Sequence, residues 1–133
     1  MDINMTNNDY YEFETTNHNL KGLVVISHGM AEHIGRYSWL IEKLNADGYS
    51  VIAKDHRGHG KNILKGMTPG FFSHKNGWTK VSDDLRNTIN FAIAKHPNTD
   101  CFLLGHSMGS WIALSLLDRR LNILIYLNKN WTN

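Results

Sequence analysis

The residues best suited to chemistry surround Ser107, which has Gly105 and Gly109 two positions away on either side. An apolar run at 101–104 leads into this motif, and a second apolar run leaves it from Met108 onward. A sharp turn from strand to helix forces strained backbone angles on its serine and needs glycines where the two elements approach each other. The pattern therefore predicts an exposed nucleophile at Ser107, with the backbone N–H of Met108 available to stabilise an oxyanion. The alternative is an ordinary serine helix cap, which would not require both glycines.

Two further polar motifs follow apolar runs in the same way. The run at 23–26 leads to a His-Gly pair, and the run at 49–53 leads to a stretch rich in histidine and glycine. The first motif runs from His28 to Tyr37 and begins with His28, Gly29 and Met30. The second contains Asp55, His56, Arg57, Gly58, His59 and Gly60, and the serine motif also contains His106. All three motifs are thus expected at the ends of strands, where chemistry is commonly placed in sheets of this kind.

Segments with apolar residues at helical spacing lie between these strands. The spacing begins at Tyr37 and at Trp78, and stop signals follow at Asp47-Gly48 and at Pro97. Residues 55–77 lack periodicity and form a long loop. The predicted strands are 10–16 near a sheet edge, 23–26, 49–53, 101–104 and, as one more candidate, 123–127, and a third helix covers 108–117. Strands that alternate with helices predict an α/β fold with a mostly parallel sheet and flanking helices.

With these three motifs in this order, the chain resembles the monoacylglycerol lipase and lysophospholipase branch of the α/β-hydrolases, related to the serine aminopeptidase S33 type. The resemblance spans about residues 10–120 and implies a truncated α/β-hydrolase fold that ends just after the helix following Ser107. It implies oxyanion-hole amides at Met30 and Met108. The positions that it assigns to the motif or the structure, rather than to catalysis, are His28, Gly29, Asp55, Gly58, His59, Gly60, Gly105, His106 and Gly109.

The chain departs from this family at a few positions. Asn62 stands where the family usually has serine, and Ser110 stands where it usually has a further glycine. Met30 is bulkier than the residue common at its position, which predicts a narrower acyl pocket. We expect residues 1–9 to be a disordered leader, 10–120 to be the N-terminal part of the hydrolase domain, and 121–133 to be a tail that is either a strand or unrelated to the family.

The partners of a catalytic serine in this fold follow it in chain order, first an acid and then a histidine. After Ser107 the sequence has one acidic residue, Asp118, and no histidine. Asp118 lies in or at the end of the helix that follows Ser107, so it is a poor candidate for the acid. A serine–lysine pair is not supported either, because Ser110 stands three residues after Ser107. An upstream histidine as base is the less favoured alternative, and the candidates are His28, His33, His56, His59 and His106.

The sequence thus favours a serine carboxylic-ester hydrolase that forms an acyl-enzyme on Ser107 and lacks its catalytic acid and base in this chain. The alternatives are a non-catalytic truncated remnant of such an enzyme, a peptidase or thioesterase on the same fold, and a small binding module. We expect a small-molecule ester or lipid as substrate, and a complementing C-terminal fragment as a candidate partner. The isolated chain is expected to be inactive.

Composition and charge argue against several other classes of partner and ligand. The net charge is +2, and the 14 Lys and Arg are mixed with 12 Asp and Glu, which argues against a nucleic-acid partner. No apolar run is long enough to span a membrane, and the N-terminus does not resemble a signal peptide, so a cytoplasmic protein is expected. We expect no cofactor. The single cysteine, Cys101, and the histidine spacings argue against a metal site.

Overall fold

The computed structural model describes residues 4–5, 10–116 and 124–128 of the chain. Within these residues, strands and helices alternate after the first two strands. In chain order they are β1 (Asn4–Met5), β2 (Tyr11–Phe13), β3 (Gly22–Ser27), α1 (Ser38–Ala46), β4 (Tyr49–Ala53), α2 (Gly77–Lys95), β5 (Cys101–His106), α3 (Met108–Leu114) and β6 (Leu124–Asn128). Short 3-10 turns cover Ile34–Tyr37 and Gly60–Asn62.

The strands form one mixed sheet in the order β1-β2-β4-β3-β5-β6. β3, β4, β5 and β6 run parallel, whereas β1 and β2 are antiparallel to their neighbours. The register pairs Ile26 with Ala53 and Ser27 with Gly105, so β3, β4 and β5 end at one edge of the sheet. This register brings the three polar motifs to the same edge, and the predicted α/β fold with a mostly parallel sheet is confirmed.

Helices cover both faces of the sheet because its central strand is apolar on both sides. Leu23 and Val25 of β3 belong to one buried cluster, and Val24 and Ile26 belong to the other. The first cluster also contains Val81, Leu85, Ile89 and Ala92 of α2 with Ile112 and Ala113 of α3, and the second contains Ile41 of α1. Burying one such aliphatic side chain contributes about 2 kcal/mol, so the two layers fix the register of β3.

The predicted element ends agree with local backbone chemistry. α1 ends at Ala46, before Gly48, whose φ of +95° is a left-handed conformation suited to glycine. α2 ends at Lys95, two residues before Pro97. α3 is shorter than the predicted 108–117, and Asp118 lies outside the described residues.

Each end of the chain contains a strand. The first lies where a disordered leader was expected, and the last agrees with the candidate strand at 123–127. Asn4 and Met5 pair with Glu12 and Tyr11 and so form an edge strand within the segment 1–9, where disorder was expected. The other residues of that segment lie outside the described part of the chain. β6 lies in the segment 121–133 and pairs with β5, so the sheet extends one strand past α3. The division of the chain into leader, domain and tail stays a prediction.

Candidate active site

Ser107 occupies a strained turn between β5 and α3. Its φ of 53° and ψ of −122° lie where few residues other than glycine are found. A Cβ on Gly109 would lie 1.9 Å from the carbonyl oxygen of Ser27, and one on Gly105 would lie 2.7 Å from Ser110 Cα. Both flanking glycines are therefore required by close backbone contacts. Ser107 makes no side-chain capping hydrogen bond within the described residues, which disfavours the helix-cap alternative.

The loop after β3 lies directly against this turn. A Cβ on Gly29 would approach Ser107 Cβ to 3.3 Å and the carbonyl oxygen of His106 to 3.3 Å. Met30 follows Gly29, and its side chain is 66% exposed, so it does not form the wall of a closed pocket among the described residues. Two of the three sequence motifs thus meet at the serine, as the parallel register requires.

His28 holds the backbone of this loop through a defined tautomer. Its Nε2 accepts a hydrogen bond from the backbone N–H of His56 at 2.9 Å, so the ring proton is on Nδ1, which donates to the carbonyl oxygen of Gly29 at 2.7 Å. That carbonyl and the N–H of Met30 belong to one planar peptide and point in opposite directions. Fixing the carbonyl therefore fixes the direction of the Met30 N–H. Burial lowers the pKa of His28, which keeps the ring neutral.

The second motif connects neighbouring segments rather than reaching Ser107. The buried Asp55 carboxylate accepts hydrogen bonds from the Ile34 N–H at 2.8 Å, from Tyr11 Oη at 2.9 Å and from the Lys61 N–H at 3.0 Å. Asn62 donates through its side chain to the backbone carbonyl of Asp55 at 2.6 Å. A Cβ on Gly60 would lie only 2.4 Å from Asp55 Oδ2. These contacts tie β2 and the two 3-10 turns to the end of β4.

Gly58 and His59 complete this motif. Gly58 has a φ of +71°, and a Cβ there would lie 2.5 Å from the carbonyl oxygen of Phe71. His59 is buried, with Nδ1 at 2.8 Å from the carbonyl oxygen of Arg57 and Nε2 without a hydrogen-bond partner among the described residues. Its ring packs 5.3 Å from that of His28, between centroids.

None of the five upstream histidines forms a hydrogen bond with Ser107 in the described part of the chain. His28 is held by backbone groups, and His56 lies 3.0 Å through Nε2 from the carbonyl oxygen of His28. Burial, with the nearby His28 ring, lowers the pKa of His56 well below its ordinary value. His33 accepts from the N–H of Gly35 at 3.1 Å through Nδ1. The remaining candidate, His106, has its Nδ1 3.3 Å from Glu32 Oε1.

Glu32 lies within the first sequence motif, but no role was predicted for it, and the structure places it between the two loops of the candidate site. Its Oε1 accepts hydrogen bonds from the Gly29 N–H and from the hydroxyl of Tyr37, and it faces His106 Nδ1. Burial raises the pKa of this carboxyl, but the hydrogen bonds from Tyr37, Gly29 and His106 together bring it below its ordinary value. Burial, followed by the bond to Glu32, raises the pKa of Tyr37. The available signal was local: a carboxylate three residues after an amide is well placed to accept from it.

Other features of the described residues lie apart from Ser107. A cavity of about 370 Å³ opens beside the second motif and is lined in part by Arg57, Phe71 and Phe72, but not by Ser107. The described residues contain no group of three or more His, Cys, Asp or Glu side chains placed to hold a metal ion. No helix within them combines the length and the apolar character that crossing a membrane requires.

A mostly parallel sheet between helical layers, with a strained serine at a strand-to-helix turn beside a His-Gly loop, defines the class of the α/β-hydrolases. The sequence of residues 18–124 matches the family model described as serine aminopeptidase, S33. The chain therefore belongs to this family, and the resemblance inferred from its three motifs is confirmed.

Known proteins similar to this chain include two lipase relatives. The monoacylglycerol lipase of Mycolicibacterium smegmatis is 35% identical over 105 residues, which cover 79% of this chain and 35% of that protein. The monoglyceride lipase homolog of Monkeypox virus is 39% identical over 95 residues, covering 71% of this chain and 32% of the viral protein. The chain thus spans about a third of the length of these relatives.

Among solved structures, a thermostable carboxyl esterase from Bacillus coagulans in complex with glycerol superimposes with a TM-score of 0.78. Its sequence is 27% identical, and the match covers 89% of this chain and 38% of the esterase. The described sheet and helices therefore correspond to part of a larger hydrolase domain in that enzyme.

Proposed function

We propose that this chain carries the nucleophile and the oxyanion hole of a serine carboxylic-ester hydrolase that acts on glycerol esters or similar lipid esters. The observation that carries the proposal is the strained backbone of Ser107 in contact with Gly29. A serine held at such angles between two obligatory glycines, beside a loop with a fixed peptide, is the arrangement that acyl transfer requires.

In this mechanism, Ser107 Oγ attacks the carbonyl carbon of the ester while a general base takes its proton. The negative charge that develops on the carbonyl oxygen is stabilised by the N–H groups of Met30 and Met108. Collapse of the tetrahedral intermediate breaks the bond to the alcohol, which leaves with the proton from the base. Water then hydrolyses the acyl-enzyme by the same steps and releases the acid.

The catalytic acid and base come from residues that this sequence does not contain. No histidine follows Ser107, and each of the five upstream histidines has at least one ring nitrogen on a backbone group or on Glu32. A C-terminal segment that completes the sheet beyond β6 is the partner that would supply them. Without it, turnover falls by about a million-fold, which corresponds to roughly 8 kcal/mol of activation free energy.

The ester substrate is inferred from the relatives, since two of them are lipases by name and the superimposed enzyme is a carboxyl esterase. A peptidase is the second candidate, because the matching family model is described as a serine aminopeptidase. Both reactions use the same nucleophile and oxyanion hole, so the acyl donor is selected by residues outside this site.

The proposal is tested by the release of nitrophenol from p-nitrophenyl butyrate by the purified chain. We expect a slow release that stops at one equivalent per chain, with a butyryl group on Ser107 detected by mass spectrometry. Ser107→Ala should abolish the adduct, and Ser73→Ala, a serine outside the turn, should retain it. An adduct that persists in Ser107→Ala would contradict the nucleophile, and sustained turnover that depends on Ser107 would contradict the missing base.

A further inference from the structure

A single carboxylate oxygen joins the two sides of the proposed oxyanion hole. Glu32 Oε1 accepts from the N–H of Gly29, the residue that precedes Met30, and lies 3.3 Å from the ring Nδ1 of His106, the residue that precedes Ser107. Gly29 and His106 are 77 positions apart in sequence, and both are reached from one side chain. The hydroxyl of Tyr37 donates to the same oxygen, so the carboxylate is itself held in place.

Gly29 is held through both of the peptide groups that it shares with its neighbours. The N–H of Gly29, in the peptide shared with His28, donates to Glu32 Oε1. Its carbonyl oxygen, in the peptide shared with Met30, accepts from His28 Nδ1. Ala31, two residues after Gly29, has a φ of 59°, so the chain reverses and Glu32 lies three residues after the N–H that it accepts from. The N–H of Met30 therefore cannot rotate without breaking one of the bonds to Gly29. Glu32 in turn links Gly29, the residue before Met30, to His106, the residue before Ser107.

We propose that Glu32 is a positioning residue that sets the distance between the two oxyanion-hole amides, an inference that rests on the function proposed for Ser107. In the described part of the chain, the Glu32 carboxylate forms hydrogen bonds with Gly29, Tyr37 and His106 and none with Ser107. Its negative charge would oppose a nearby oxyanion, so its contribution is geometric. The carboxylate oxygen Oε1 faces the donors on Gly29, Tyr37 and His106 instead. Displacement of a reacting group by about 1 Å is enough to cost about 100-fold in rate.

The first readout is the rate at which a fluorophosphonate modifies Ser107. When Ser107 attacks the phosphorus, negative charge develops on the phosphoryl oxygen, as it does on the carbonyl oxygen of an ester. We expect Glu32→Ala to lower this rate by about 10- to 100-fold. Glu32→Gln keeps an acceptor for the Gly29 N–H and should lose less. Glu42→Gln removes one negative charge from an exposed position on α1 and is the matched control, with an unchanged rate expected. The thermal midpoint of each variant separates a slower reaction from loss of the fold.

The second readout is the amide NMR resonance of Gly29 together with the ring resonances of His106. In Glu32→Gln both should move, because the carboxylate that they share is gone, whereas in Glu42→Gln both should stay. This readout decides the inference even if Ser107 does not react in the unaltered chain, an outcome that would contradict only the proposed function. The inference is overturned if a folded Glu32→Gln leaves these resonances in place, or if a folded Glu32→Ala reacts at the unaltered rate.

Discussion

Ser107 keeps its strained conformation because neighbouring backbone leaves no room for a side chain at either flanking glycine. Gly109 packs on the end of β3, and Gly105 packs on the first turn of α3. The sequence predicts this turn because its determinants are local: an apolar strand, a Gly-x-Ser-x-Gly motif and an apolar helix are adjacent in the chain. The contacts of Glu32 with His106 were not predictable in this way, since they depend on which strands become neighbours.

Replacing Gly109 with alanine tests the close packing at the turn. A Cβ 1.9 Å from the carbonyl oxygen of Ser27 forces strand and helix apart, so we expect Gly109→Ala to lower the free energy of unfolding by at least about 3 kcal/mol. Gly66→Ala is the control for an uncrowded position, because Gly66 has no neighbour within 4 Å and only its φ of +81° disfavours a side chain there. It should cost about 1 kcal/mol. Urea denaturation of both variants measures the difference, and equal costs would contradict the packing.

Because His28 and His56 are buried, we expect the folded chain to lose stability in mild acid. Burial lowers the pKa of His28 and of His56 in the folded chain, while both titrate near pH 6.5 when unfolded. The unfolded state therefore binds more protons as the pH falls below about 6.5, and stability decreases by up to about 1.4 kcal/mol per pH unit for each ring. Denaturation between pH 7.5 and 5 should show this slope, and His18→Gln at an exposed position should retain it. A flat profile would contradict neutral, buried rings.

At the scale of elements, the site depends on a register that brings three strand ends together. In the sheet β3 lies between β4 and β5, although in the sequence it precedes both of them and α2 separates those two strands. The strands and helices could be predicted from the spacing of apolar residues along the chain. No local pattern indicates the strand order β4-β3-β5. The partners of Asp55 were missed for the same reason, since Tyr11 is 44 positions away from it in sequence.

Asp55 is predicted to hold these elements together. Asp55→Ala removes the carboxylate, just after the end of β4, that accepts from Tyr11, Ile34 and Lys61. We expect a loss of about 3 kcal/mol or more in the free energy of unfolding. Asp47→Ala removes an exposed carboxylate that pairs with Lys21 and should leave stability close to its original value. Thermal denaturation followed by circular dichroism compares the two variants. Equal midpoints would show that Asp55 does not organise the loops.

At the scale of the whole molecule, the chain combines the proposed nucleophile site with about a third of the length of its lipase relatives. β3, β4 and β5 position the serine, the His-Gly loop and the Asp55 motif, and no histidine follows Ser107 in the sequence. The proposed function therefore treats Ser107 as a nucleophile position and not as a complete catalytic site. It implies that covalent capture at Ser107 and catalytic turnover are separable in this chain.

The most direct test is intact-mass analysis of the purified chain after prolonged incubation with a fluorophosphonate, followed by mapping of the modified peptide. We predict one phosphonyl group per chain, located on Ser107 and absent from Ser107→Ala, because the strained turn and the oxyanion hole act even without a base. An unmodified chain that is folded by circular dichroism, or modification at another residue, would contradict the assignment of Ser107 as the nucleophile.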